Sequence, residues 1–408
     1  MRSMRRVAFV VAALSAGLLV AAPVAAADSQ RGQQDEGDPI TIMTIGEFDV
    51  AAAGSSNPEV SGAVEARAEA INEAGGIEDA SGVTHELRVE VCNTDNDPNQ
   101  AEQCARDAVE QGVAAVVGNF TALGSSVYPI LEEAGIASIG PTASEPTTLS
   151  SPVSFALQSG IPGIFFEMPR LLAEQGATRI SLVYPDLPAA AQAVPLVGLA
   201  ADAAGVEVVN EVVVPLDTAD IAPQIAAATA NDADGIMGVV IGDQTARLVQ
   251  GLDQAGYDDP LVTASAFLTP QILDELEDEL DGTYIVLSYP PASAKGVPGV
   301  KAFNKDMKAF DKDLARTDSA MNSWLATWVF EQVATGIEID AANVLAALNE
   351  TAALDTMGLT PTLNFTQPVE LASFPLPRVF NPTVVNARVK NGRIVSLEKP
   401  PEFVNPFE

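Results

Sequence analysis

Short apolar strands and amphipathic helices alternate along most of this chain from Pro39 onward, and that alternation limits the fold more than any other feature. A strand, a helix and a further strand in series form a crossover on one face of a sheet. The pattern therefore predicts a doubly wound α/β fold with parallel strands and helices on both faces. Residues 40–45, ITIMTI, read as the first strand. Asn57 and Pro58 mark a helix start, with proline at a first-turn position where its missing N–H has no helical partner to lose. Val60, Val64, Ala68 and Ile71 then recur every three or four residues as one buried stripe, and Gly75-Gly76 ends the helix. Further strands are expected at 86–92, 114–118 and 136–140, with helices from Pro98 and from Ser125 to Ala134.

A second series begins after residue 160. RISLVY, VEVVNEVVV, DGIMGVVI, PLVTAS and GTYIVLSY read as strands separated by helices, and Pro195 is expected to kink the helix between the first two. Helices dominate from Val297 to about Ala353, and Asn391-Gly392 is a strong hairpin signal near the end. Two βα series in a chain of 408 residues predict two lobes, each burying its own sheet.

Arg2, Arg5 and Arg6 precede an apolar run from Val7 to Val20, and Ala25 and Ala27 have the spacing a signal peptidase reads. Residues 1–27 are thus expected to be a signal peptide cleaved after Ala27, followed by an acidic linker over 28–38. The expected product is exported to a periplasmic or extracellular space, without membrane insertion. Net charge is −34, from 55 acidic and 21 basic residues. Such a balance argues against nucleic acid or anionic lipid as partners, since both need basic footprints. Both salt adaptation and ordinary acidic solubility explain it.

EAINEAGGI (69–77), AAVVG (114–118) and LEEAGIASIGPTASEP (131–146), in that order, resemble the type I periplasmic binding proteins. The closest branch is the leucine/isoleucine/valine-binding group, which supplies substrate-binding subunits to ABC importers. The resemblance is strongest over 40–160 and continues more loosely to about 365. It implies two lobes joined by crossings near 158, 289 and 360. The first lobe would comprise 39–158 and 290–360, the second 159–289 and 361–408. The implied action is capture of a small polar ligand by hinge closure, as a monomer, for delivery to permease and ATPase subunits. In such sheets ligands bind beyond the carboxyl ends of the strands.

The loop after the third strand offers the hydroxyls of Thr121 and Ser125 at a helix start that suits a carboxylate. The loop after the fourth offers Thr142 and Ser144 around Ala143. The resemblance places the ligand's α-carboxylate against Thr121 or Ala122 and against Thr142, Ala143 and Ser144. Phe48, Tyr184 and Phe267, each at or beyond a strand end, are candidate lining residues, and Tyr289 is a weaker one. In amino-acid binders a carboxylate near residues 243–244 meets the ligand's ammonium. Gln244 aligns there, a poor ammonium partner, while the adjacent Asp243 has the required charge. The expected ligand is accordingly an amino acid, an amide or a related carboxylate.

Other chemistry is sparse. His85, the only histidine, reads as a solvated turn residue, and DELEDELD (274–281) as an acidic helix face. Trp324 and Trp328, four apart, read as core. No nucleophile motif, phosphate loop or zinc pattern occurs, so neither an enzyme nor a cofactor is expected. A sensory module and, less readily, an amidohydrolase remain the alternatives. Cys92 and Cys104 lack companions for zinc and are too far apart for a C-x-x-C redox pair. In an exported chain they read as a structural disulfide.

Overall fold

The computed structural model describes residues 37–408 except 51–54, 217, 372, 373 and 376. The expected signal peptide, its cleavage point after Ala27 and nearly all of the acidic linker lie outside the described residues.

The first lobe opens with β1 (Ile40–Gly46), α1 (Pro58–Glu73), β2 (Leu87–Asn93), α2 (Pro98–Glu110), β3 (Ala115–Val117), α3 (Gly124–Ala134), β4 (Ser138–Ile139) and β5 (Ser154–Phe155). Its sheet is wholly parallel in the order β2-β1-β3-β4-β5. The second lobe follows with α4 (Gly160–Glu174), β6 (Arg179–Pro185), α5 (Pro188–Ala204), β7 (Glu207–Val214), α6 (Ala222–Ala228), β8 (Gly235–Gly238), α7 (Asp243–Ala255), β9 (Leu261–Ala264) and β10 (Tyr284–Leu287). The chain then adds α8 (Pro298–Phe310), α9 (Asp318–Ala334) and α10 (Ala341–Glu350) to the first lobe. It ends in the second lobe as the hairpin β11 (Val385–Lys390) and β12 (Arg393–Ser396). That sheet runs β7-β6-β8-β9-β10-β11-β12, parallel to β10 and antiparallel beyond.

Each lobe is α/β because its strands are covered on both faces, as parallel sheets require. The stripe of Val60, Val64, Ala68 and Ile71 on α1 is buried, and its last three residues share a core with Trp324, Leu325 and Phe330 of α9. Arg67 lies over the Trp324 and Trp328 rings at 5.4 and 5.8 Å and pairs with Asp306 at 3.3 Å and with Glu331. Trp324 Nε1 donates to the same Asp306 carboxylate at 3.0 Å, so a charged cluster seals the α1–α8–α9 contact, while the buried Trp328 Nε1 has no partner. Gly118 and Gly140, which end β3 and β4, have φ of +60° and +63°. A Cβ there would stand 2.8 Å from Ser323 Oγ and 2.6 Å from Ala326 Cβ respectively. Only glycine lets these strand ends both turn left-handed and lie this close to α9.

Cys92 and Cys104 form a disulfide with Cα atoms 5.7 Å apart. It joins β2 to α2, whose N-cap Asp97 accepts from the N–H groups of Asn99 and Gln100.

Several expectations are corrected. The third crossing, expected near 360, falls beyond Phe380. Leu363, Phe365 and Phe380 belong to the first lobe's core, and Val379 bridges Ala156. Phe380 stacks on Phe155 with centroids 6.0 Å apart, and Phe365 meets Phe380 edge-on at 5.2 Å. The Arg378 guanidinium lies 4.4 Å from the Phe155 centroid, and its burial lowers its pKa to about 10. The acidic run is not one helical face: the helix Pro270–Glu275 ends early because Leu276 and Leu280 turn inward to the core. His85 is half-buried rather than solvated, with Nδ1 2.8 Å from the Asp38 carbonyl.

Candidate functional site

At the carboxyl edge of the first sheet, three loops are stitched together by backbone hydrogen bonds. Phe120 N–H donates to Ile45 O and Glu47 N–H to Phe120 O, at 2.8 and 2.9 Å, and Thr142 N–H donates to Asn119 O at 2.8 Å. The loops after β1, β3 and β4 therefore form one shelf, with the start of α3 at its centre.

The side chain that occupies this centre was not among the expected site residues. Thr121 Oγ1 donates to Glu47 Oε1 at 2.7 Å, and the Ala122 N–H reaches the same oxygen at 3.3 Å. Thr121 Oγ1 also accepts from Leu123 N–H at 2.9 Å, which turns the chain into α3. Glu47 thus places a carboxylate where a ligand carboxylate was expected, against a helix N-terminus that favours negative charge. A second acid approaches from the loop after β4. Glu145 lies against Gly124, so close that a Cβ on that glycine would overlap its Oε1. Burial raises the Glu145 pKa and the charge of Glu47 adds to the rise, while the N–H groups of Gly124 and Ser125 oppose it. Its Oε1 has no hydrogen-bond partner, and neither has Oδ1 of Asn119, which is 2% exposed. The available signal for Glu47 was its place directly after the glycine that ends the first strand, where a doubly wound sheet presents its ligand edge.

The structure brings the other first-lobe candidates to this shelf with different degrees of access. Ala122 and Ser125 are exposed and Thr142 is half-buried. Ala143 is buried, and its carbonyl accepts from Ile161 N–H of α4 at 3.1 Å. Ser144 has a buried Oγ without a partner. Phe48 is 5% exposed, its ring pressed over Gly46, which leaves it little face for a ligand.

In the second lobe Tyr184 lies near the end of β6, buried with the core there. Asp243 opens α7 with its side chain 90% exposed, 3.6 Å from Arg247. Gln244 points inward instead. Its Nε2 donates to the carbonyls of Val214 and Pro215, at 3.3 and 3.0 Å, tying α7 to the end of β7. The residue is 4% exposed, and its Oε1 is buried without a partner. Phe267 is half-buried in the turn Ser265–Phe267 that follows β9. Tyr289 is fully buried and does not line an open surface. Its hydroxyl donates to Asn322 Oδ1 at 2.6 Å, and Asn322 Nδ2 donates to Gly140 O at 2.7 Å.

The second passage between lobes is fastened by Asp318 at the start of α9. Its carboxylate accepts from the N–H groups of Ser288 and Tyr289 at 3.0 and 3.2 Å and from Ser265 Oγ at 3.2 Å. Burial raises its pKa to about 6 against these hydrogen bonds. One carboxylate thus touches the first lobe's helix, the crossing strand and a second-lobe loop. Among the described residues, no group of three His, Cys, Asp or Glu could hold a metal ion, and no helix is long and apolar enough to cross a membrane.

Residues 39–369 match the family model described as periplasmic binding protein. No curated protein matches the chain in sequence. Among solved structures, the extracellular ligand-binding receptor from Verminephrobacter eiseniae is similar at 18% identity and TM-score 0.74, covering 87% of this chain and 99% of that one. The branched-chain amino acid transporter substrate-binding protein LivJ from Streptococcus pneumoniae, in complex with isoleucine, has 16% identity and TM-score 0.70, covering 90% and 100%. A solute-binding protein of an ABC transporter from R. palustris, in complex with 4-hydroxybenzoate, has 19% identity and TM-score 0.70, covering 88% and 96%. At these identities the likeness is one of fold.

Proposed function

Because the chain belongs to the periplasmic binding protein family, we propose that it captures a small polar ligand between its two lobes and presents it to an ABC importer. The ligand is of the amino acid, amide or carboxylate kind. The first lobe comprises 39–158 and 290–380, and the second 159–289 and 381–408. Permease and ATPase subunits are the partners of the loaded form. The observation that carries this reading is the shelf formed by the loops after β1, β3 and β4. It leaves polar atoms of Asn119, Ser144 and Glu145 without partners at the ligand edge of a doubly wound sheet. Ala122, Ser125 and Thr142 flank those atoms, and Tyr184, Asp243 and Phe267 are the second-lobe counterparts. Closure of the lobes about their crossings removes the ligand from water.

Thermal unfolding of the exported chain across a panel of amino acids, amides, ureas and small carboxylates tests the reading. A ligand that binds only the folded state, at a hundred times its Kd, adds about 2.7 kcal/mol of stability. At least one compound is expected to raise the melting temperature with concentration. A flat panel, with no ligand retained in native mass spectra, would reject the proposal.

A further inference from the structure

We infer that the ligand group meeting the start of α3 is a hydrogen-bond donor, an amide or amine N–H, and that Glu47 keeps free carboxylates out of that place. The inference rests on the binding function proposed above and narrows its ligand class.

A helix N-terminus attracts an anion because its first N–H groups are unpaired and its dipole end is positive. Just ahead of that end the chain already places a carboxylate of its own. Glu47 Oε1 takes the Thr121 hydroxyl at 2.7 Å and approaches the Ala122 N–H at 3.3 Å. Glu47 is also fixed at its own backbone, since its N–H donates to Phe120 O and its carbonyl accepts from Asn57 Nδ2. A ligand carboxylate entering here would have to displace a group of the same charge that is tethered in place. It would also meet Glu145, which lies against Gly124 in the first turn of α3.

A second observation points the same way. Beside this helix start the buried Asn119 Oδ1, an acceptor only, has no partner. Asn119 is 2% exposed, so its orphaned oxygen carries the full desolvation penalty until a donor reaches it. A ligand amide or ammonium supplies N–H groups to such acceptors, whereas a carboxylate supplies none. The seat assigned to an α-carboxylate by family resemblance is therefore a donor-recognising seat in this chain.

Matched pairs of probes on the whole exported chain test this by isothermal calorimetry: isoleucine against isoleucinamide, and 4-hydroxybenzoate against 4-hydroxybenzamide, with putrescine as an amine lacking any carboxylate. The wild type should bind the amide or amine at least roughly tenfold more tightly than the acid. Glu47→Ala, which vacates the seat, should move that ratio toward the acid by roughly tenfold. Glu47→Gln, which keeps the shape and an acceptor for Thr121 but removes the charge, should move it in the same direction. Circular dichroism establishes that both variants are folded. A wild type that binds the acid as tightly as its amide, or a ratio unchanged in both variants, would overturn the inference while leaving the binding function standing. Failure of every probe and of the wider panel would instead remove the binding function and this inference with it.

Discussion

Asp318→Asn should flatten the pH dependence of stability, because Asp318 holds three hydrogen bonds at the junction of the lobes while its charge is poorly solvated. Burial lifts its pKa from 3.8 to about 6. Between those two values the folded chain keeps a proton that the unfolded chain has released. Stability therefore falls as pH rises through that window, and the loss is complete above about 6. Two pH units at 1.4 kcal/mol each give about 3 kcal/mol. That figure is an upper bound, because Asp318 borders an open cavity of about 290 Å³ and keeps part of its surface exposed. Arg316, Arg393 and Asp274 border the same cavity and remain in both proteins, as do other acids whose pKa values are raised, such as Glu145 and Glu167. The difference between wild type and variant therefore isolates Asp318. Urea unfolding at intervals from pH 4 to pH 8 gives that difference. The wild type should lose about 1–3 kcal/mol more than Asp318→Asn between pH 4 and pH 7. Parallel stability curves would refute the claim that this carboxylate is desolvated at the hinge.

Cys92→Ser with Cys104→Ser opens a loop closed by a bond spanning 12 positions. Chain entropy puts the loss at about 3 kcal/mol, read from the urea midpoint, and an unchanged midpoint would contradict the disulfide's stabilising role. Gly140→Ala forces a side chain into φ +63° and within 2.6 Å of Ala326 Cβ. The expected loss is about 2–4 kcal/mol in thermal unfolding, and a loss below about 0.5 kcal/mol would show that α9 yields freely.

The fold was legible because it is written in periodicities. The stripe Val60, Val64, Ala68, Ile71 belongs to one helix, and each strand lies close to its apolar run. Pairings across long stretches of chain leave no such local trace. Phe365 and Phe380 belong to the first lobe because they pack on Phe155, more than 200 positions earlier. Glu47 meets Thr121 across 74 positions, and nothing near either residue announces the other. Asp243 and Gln244 differ in orientation only through their places in the first turn of α7, one outward and one inward, which a one-residue uncertainty in alignment cannot resolve. Strand ends thus marked where the proposed site lies, while the contacts of Glu47 and Gln244 emerged only from the folded chain.

Capture between closing lobes is tested most directly by a distance across them. Val109 on α2 and Leu199 on α5 are exposed, at 42% and 50%, and lie on different lobes. With both changed to Cys and spin-labelled, the native disulfide remains intact and unlabelled. Double electron–electron resonance is then recorded with and without the compound that raises the melting temperature most. The account predicts a shorter and narrower distance distribution at saturation. A distribution identical to that of the free protein, with the compound bound, would contradict capture by closure.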